Sequence, residues 1–135
     1  MPAVVAAGLE IERKRARWQR IALEATKQCG RALMMNVQPS TEIQSLLAAS
    51  EAAGWRLMFA ERSGTSFAEV LNDRAQQIAR VVALVGPEGG WSDDEIDQAR
   101  ERGWKIVTLG GRILRAETAA IVIATLLQHR VGDLE

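Results

Sequence analysis

The chain has 135 residues, long enough for one domain with a core of its own, and its seventeen Lys or Arg balance seventeen Asp or Glu, so no overall charge argues for wholesale binding to nucleic acid or membrane. A single cysteine excludes an internal disulfide framework, and no apolar stretch approaches the about twenty residues of a membrane span. Basic residues follow the short apolar start instead of preceding it, unlike a secretory signal, so a cytoplasmic location without a membrane partner is expected.

The charge balance is locally uneven. Residues 1–31 carry seven basic side chains, Arg13, Lys14, Arg15, Arg17, Arg20, Lys27 and Arg31, against Glu10, Glu12 and Glu24. Helical spacing of Trp18, Ile21, Ala22, Ala25 and Cys29 predicts an amphipathic helix over 17–29, with those five inward, Cys29 as packing, and Gly30 as its terminator. "ALMMNV" (32–37) then predicts a short strand that stops before Pro39. In "STEIQSLLAASEAAG", Ser40 or Thr41 is the expected cap, Gln44 the capping-box partner, Ile43, Leu46 and Leu47 the apolar face and Gly54 the stop.

"WRLMFA" (55–60) is the next predicted strand, and Phe67, Val70 and Leu71 suggest a short helix beyond it. "VVALV" (81–85) is continuous and β-branched, as for a strand covered on both faces. Ser92 and Glu95 have capping-box spacing, Ile96 and Ala99 are expected inward, and Gly103 closes that helix. "WKIVTL" (104–109) is another strand, and "TAAIVIATLLQH" is apolar on nearly all sides, predicting a helix enclosed by protein on most of them. The lone His129 is expected to be structural.

Strands alternating with helices predict an α/β fold with a mostly parallel sheet, in which ligands lie beyond the carboxyl ends of strands. The loops after Ala60, Val85 and Leu109 then share one edge. The loop Gly86-Pro87-Glu88-Gly89-Gly90 lacks the spacing of either common phosphate-binding glycine motif, and Asp93, Asp94 and Glu95 would repel a phosphate. A ligand there is expected to be neutral or cationic, although the stretch taken alone also reads as a tight turn into a capped helix. "TLGGRILRAETAA" (108–120) repeats the plan of strand, glycine pair and helix but adds Arg112 and Arg115. Each of these must reach water or a partner. Glu117 suits a helix first turn, and Thr118 or Glu117 is a possible cap.

The stretches "LVGPEGGWSDDEI", "LGGRILRAETAA", "RWQRIALEATKQCGR" and the ending "HRVGDLE" together resemble the SPOUT class of RNA methyltransferases, and within it the ribosomal-RNA uracil-N3 branch, the RsmE type. The resemblance implies an α/β fold whose mostly parallel sheet ends in a C-terminal trefoil knot, a homodimer, S-adenosylmethionine (SAM) bound in the knot, and small-subunit ribosomal RNA as substrate. No metal is expected. It places Phe59, Ala60, Val85, Gly86, Pro87, Glu88, Gly89, Leu109, Gly110, Arg112, Ile113, Leu114 and Thr118 at the cofactor. The cofactor is a sulfonium without phosphate, which suits a glycine loop beside an acidic helix start. Arg115 becomes the candidate for stabilising a uracil anion, with Glu117 or Glu88 accepting the proton or holding the arginine.

Arg13, Lys14, Arg15, Arg17, Arg20 and Arg31 are the candidates for RNA phosphate contact, with a solvated helix face as the alternative. Relatives of this class carry an N-terminal RNA-binding domain and a first strand and helix that the sequence does not show. Residues 1–135 are therefore expected to be a methyltransferase domain lacking those parts. A non-catalytic RNA-binding or assembly module that keeps the knot and dimer surface is the competing expectation.

Overall fold

The structure, a computed structural model, describes residues 9–49, 54–72, 80–87, 89–110, 113–132 and 134. The chain divides into two units, Met1–Leu46 and Leu47–Glu135.

In the first unit α1 (Leu9–Cys29) begins well before the expected Arg17. Its packed stripe runs through Arg15, Trp18, Gln19, Ala22 and Thr26, with Ala22 buried and the others half-buried. Ile21, Ala25 and Cys29, expected inward, are exposed. The stripe is rotated because polar side chains anchor the segment that follows. Arg15 Nε donates to Val37 O at 2.9 Å, Gln19 Nε2 donates to Met35 O at 2.9 Å, and Val37 N donates to Gln19 Oε1 at 2.8 Å. These bonds satisfy backbone groups that a neighbouring strand would otherwise pair, so the expected strand over 32–37 does not form. Gly30 adopts φ 71° and Arg31 N donates to Thr26 O at 3.2 Å, closing α1 with the expected glycine cap.

Helix α2 (Ile43–Ala49) runs across the division between the units, and its first intrahelical bond joins Leu46 N to Glu42 O. Glu42 therefore occupies the capping position, one or two residues later than the sequence suggested. Gly54, its expected stop, lies five residues beyond the end of the described helix.

The second unit is built on a four-stranded sheet. Its strands are β1 (Trp55–Phe59), β2 (Thr65–Ser66), β3 (Val81–Val85) and β4 (Lys105–Thr108), in the order β2-β4-β1-β3, with every pairing parallel. Apolar side chains on β1 and β4 alternate between two faces. Leu57, Phe59 and Val107 meet Phe67 and Val70 of α3 (Phe67–Asn72) and Ala119 and Ile123 of α5 (Ala116–Val131) in one cluster. Each such fully buried side chain contributes roughly 1.5–3 kcal/mol by leaving water. Met58 and Ile106 project to the other face, and α4 (Asp93–Glu101), whose Ala99 is fully buried, packs beside β4.

The capping box of α4 forms as its spacing predicted. Glu95 N donates to Ser92 Oγ at 3.2 Å and Ser92 N donates to Glu95 Oε2 at 2.8 Å. Ile96 is half-buried, and Gly103 takes φ 82° where the chain turns into β4.

Two expectations about covering are corrected. β3 lies at a sheet edge, where β1 is its neighbour among the described residues, and only Leu84 is buried in it. The apolar helix α5 buries only Ala119 and Ile123, while Ile121 is 69% exposed and Leu126 and Val131 are also exposed. One sheet face covers one stripe of a helix, so an all-round apolar helix on a single chain retains an uncovered side. His129 lies near the end of α5, its Nδ1 3.3 Å from Leu134 O. Among the described residues, no helix is long and apolar enough to cross a membrane.

Candidate functional site

The parallel register aligns three strand ends: Phe59 is opposite Val85 on one side and Val107 on the other. All three following loops therefore open at the same carboxyl edge, as an α/β sheet requires. They enclose a cavity of ≈ 510 Å³ in the second unit, within the size range of small-molecule sites.

Phe59 and Ala60 reach the cavity from β1, as do Val85, Gly86 and Pro87 from β3, and Leu109, Gly110, Ile113, Leu114 and Arg115 from the segment between β4 and α5. The structure thus gathers around one space most of the candidates named from sequence. Gly89 is exposed and does not line it. Glu117 and Thr118 are exposed in the first turn of α5, outside the lining. Neither caps that helix, because the N-cap is Arg115, which makes no side-chain capping bond. Glu88 and Arg112 lie outside the described residues.

The candidate RNA-contact residues all belong to the first unit. Arg13, Arg17 and Arg20 recur at helical spacing on one exposed face of α1, opposite the packed stripe. Arg31 is exposed beyond the helix end, and Lys14 is exposed. Arg15 is turned to the packed side, where it holds Val37 O and stands 3.8 Å from the Glu12 carboxylate.

Sequence reasoning missed five lining residues: Glu61, Gly90, Trp91, Ala116 and Ala119. Trp91 matters most to the architecture. Its indole Nε1 donates to Phe59 O at 2.9 Å, tying the glycine loop to the end of β1. A Cβ added to Gly86 would stand 3.1 Å from that same nitrogen, so Gly86 is needed for close approach and not for an unusual backbone angle. Gly90, at φ 74°, and Gly110, at φ 93°, do take left-handed conformations. A tryptophan directly after a glycine pair was the available signal for Trp91, since so large a side chain beside a cavity rarely faces water entirely.

The loop after β1 is held from several sides. Ala60 N donates to Val107 O at 2.9 Å, and Arg100 Nη2 donates to Ser63 O at 2.8 Å. Ser63 has φ 63°, a left-handed conformation in a residue other than glycine, which surrounding contacts must maintain. A Cβ at Gly64 would lie 2.8 Å from Ile106 O, so only glycine lets this loop return beside β4.

Among the described lining residues, Glu61 is the one anion and Arg115 the one cation. No ion pair or hydrogen bond joins either side chain to another described residue. Most of the remaining wall is apolar side chain or glycine backbone. The acidic first turn of α4, Asp93, Asp94 and Glu95, begins two residues after Trp91. This electrostatic setting disfavours phosphate and suits a ligand with an apolar body and a cationic centre. Among the described residues there is no cluster of three or more His, Cys, Asp or Glu able to hold a metal.

A parallel sheet with a glycine-walled cavity over its strand ends defines a ligand-binding α/β domain. The chain belongs to the RNA methyltransferase domain family, whose profile matches residues 4–128. It is 34% identical over 116 residues to ribosomal RNA small subunit methyltransferase E of Mesomycoplasma hyopneumoniae, covering 86% of this chain and 49% of that protein. It is 36% identical over 112 residues to the protein of the same name in Synechocystis, covering 82% of this chain and 37% of that one. In structure it matches ribosomal RNA small subunit methyltransferase E of Neisseria gonorrhoeae bound to S-adenosyl methionine, with a TM-score of 0.82 and 31% identity over 98% of this chain and 54% of that one. The chain spans about half, or less, of the length of these relatives.

Proposed function

We propose that this chain is the cofactor-binding and catalytic part of an SAM-dependent methyltransferase that acts on N3 of a uridine in small-subunit ribosomal RNA. The observation that carries this reading is the cavity at the three aligned strand ends, with Arg115 on its wall, in a fold shared with a small-subunit rRNA methyltransferase bound to the same cofactor. The lining fits that cofactor. Val85, Leu109, Ile113 and Leu114 supply apolar walls for adenine, and the glycine loops let main-chain groups approach the ligand closely.

When bound, the cofactor supplies an electrophilic methyl group on a sulfonium. The protein's part is to orient the base in line with that methyl and to favour loss of the N3 proton. Arg115 lines the cavity without a partner among the described residues, so its guanidinium is available to stabilise the negative charge that develops on the uracil oxygens. Glu88, or Glu117 in the first turn of α5, would accept the N3 proton or hold the arginine in place. Gly89, Arg112 and Thr118 remain candidates for the cofactor's outer contacts.

Arg13, Arg17 and Arg20 supply the exposed basic face for RNA phosphates, with Lys14 and Arg31 beside them and Arg15 supporting the helix from its packed side. The uncovered apolar side of α5, which includes Ile121, supports a homodimer in which a second copy covers it. A C-terminal trefoil knot, as in the SPOUT class, is part of the same reading.

Calorimetric titration with SAM is the first test. Saturable binding near one cofactor per chain or per dimer, followed by methyl transfer to small-subunit rRNA, is the expected result. Absence of binding by folded protein would overturn the reading.

A further inference from the structure

We propose that Glu61 reads the ribose diol of the cofactor and so decides which adenosine-containing ligands the cavity accepts. The inference rests on the cofactor reading above and names a contact that the sequence motifs did not suggest. Glu61 lies two residues beyond the end of β1, and the glycine loop leaves the neighbouring strand β3. A carboxylate at one strand end beside a glycine loop on the next is a juxtaposition that suits a nucleoside: the loop admits the ligand to backbone contact, and the carboxylate accepts from vicinal hydroxyls.

Three observations support the role. Glu61 is the one anion among the described lining residues. It is exposed and makes no hydrogen bond or ion pair with another described residue, so both carboxylate oxygens keep their accepting capacity. Its loop is also fixed. Ala60 N is bonded to Val107 O, Ser63 O accepts from Arg100, and Gly64 packs against the β4 backbone. A short loop held in this way in the middle of the sheet carries the carboxylate on a backbone already ordered, so binding has only the side chain left to order. Two hydroxyls donating to one ionised carboxylate form charge-assisted bonds, which are stronger than neutral ones.

The test is calorimetric titration of the full chain and its Glu61→Ala and Glu61→Gln variants with SAM, S-adenosylhomocysteine, methylthioadenosine, and the methylthioadenosine analogue lacking the ribose 2′-hydroxyl. Methylthioadenosine keeps the diol but has no amino-acid portion. The expected result is that Glu61→Ala weakens the first three ligands by a similar factor, roughly tenfold or more. Glu61→Gln should weaken them less, and the analogue without the hydroxyl should be weakened least. Unchanged far-ultraviolet circular dichroism is expected for both variants, because the side chain is exposed. Weakening of SAM and S-adenosylhomocysteine with no change for methylthioadenosine would place the carboxylate on the ammonium group and overturn the proposal. Unchanged affinity for all ligands would overturn it as well. Failure of the unmutated chain to bind any of them would overturn the cofactor reading itself and this proposal with it.

Discussion

Replacing Gly86 with alanine probes the contact that ties the glycine loop to the sheet. The added Cβ would stand 3.1 Å from Trp91 Nε1, 3.3 Å from Cδ1 and 3.4 Å from Cε2, closer than the about 3.5–4.0 Å of an unstrained contact. The indole has to retreat by a few tenths of an ångström. Its retreat is opposed by the 2.9 Å bond from Nε1 to Phe59 O, which a shift of ~0.4 Å along its axis would stretch past the usual limit of about 3.2 Å. Overpacking of this kind costs about 1–3 kcal/mol, and a weakened hydrogen bond adds up to about 1 kcal/mol. Because Gly86 does not take a positive φ, alanine gains about 0.4–1 kcal/mol from a less flexible unfolded chain. The expected net loss for Gly86→Ala is therefore about 1–2 kcal/mol. In a Trp91→Ala background the obstacle is gone, and the same substitution should be neutral or slightly stabilising. Urea denaturation of the four proteins of this cycle measures the coupling, expected at about 1–3 kcal/mol. Additivity within ~0.5 kcal/mol would refute the argument that Gly86 is glycine to admit the indole.

Arg115→Ala should lower methyl transfer by about a hundredfold or more while SAM affinity changes by less than about threefold; unchanged turnover would remove Arg115 from the mechanism. Ser92→Ala removes one arm of the capping box and should cost about 1 kcal/mol in urea denaturation, whereas no loss would mean that Glu95 alone holds the start of α4. The double variant Arg17→Ala/Arg20→Ala should reduce RNA affinity and lower the slope of log affinity against log salt by about 1.8 on duplex RNA, if its charge density approximates that of duplex DNA. An unchanged slope would remove this face of α1 from RNA contact.

Local signals were legible wherever a residue's role depends on its immediate neighbours. The capping box at Ser92, the left-handed caps at Gly30 and Gly103, and the strands around Leu57, Leu84 and Ile106 are all short-range chemistry. Most of the cavity was legible too, because parallel strands place their following loops on one edge whatever the details of packing. Competition between distant groups was not legible. The segment 32–37 has the composition of a strand, yet Arg15 and Gln19 take its backbone bonds first. Trp91 and Glu61 face the cavity because a hydrogen bond to Phe59 and the return of a loop beside β4 hold them there.

The sequence by itself determined the types of most elements, the parallel α/β class and the family, since periodicity, caps and motif spacing are properties of the chain. Only the tertiary structure decided which apolar faces are covered. It placed β3 at an edge and left the outer side of α5 exposed, because burial depends on the area one sheet face can cover, and that is set by strand order and not by hydrophobicity alone.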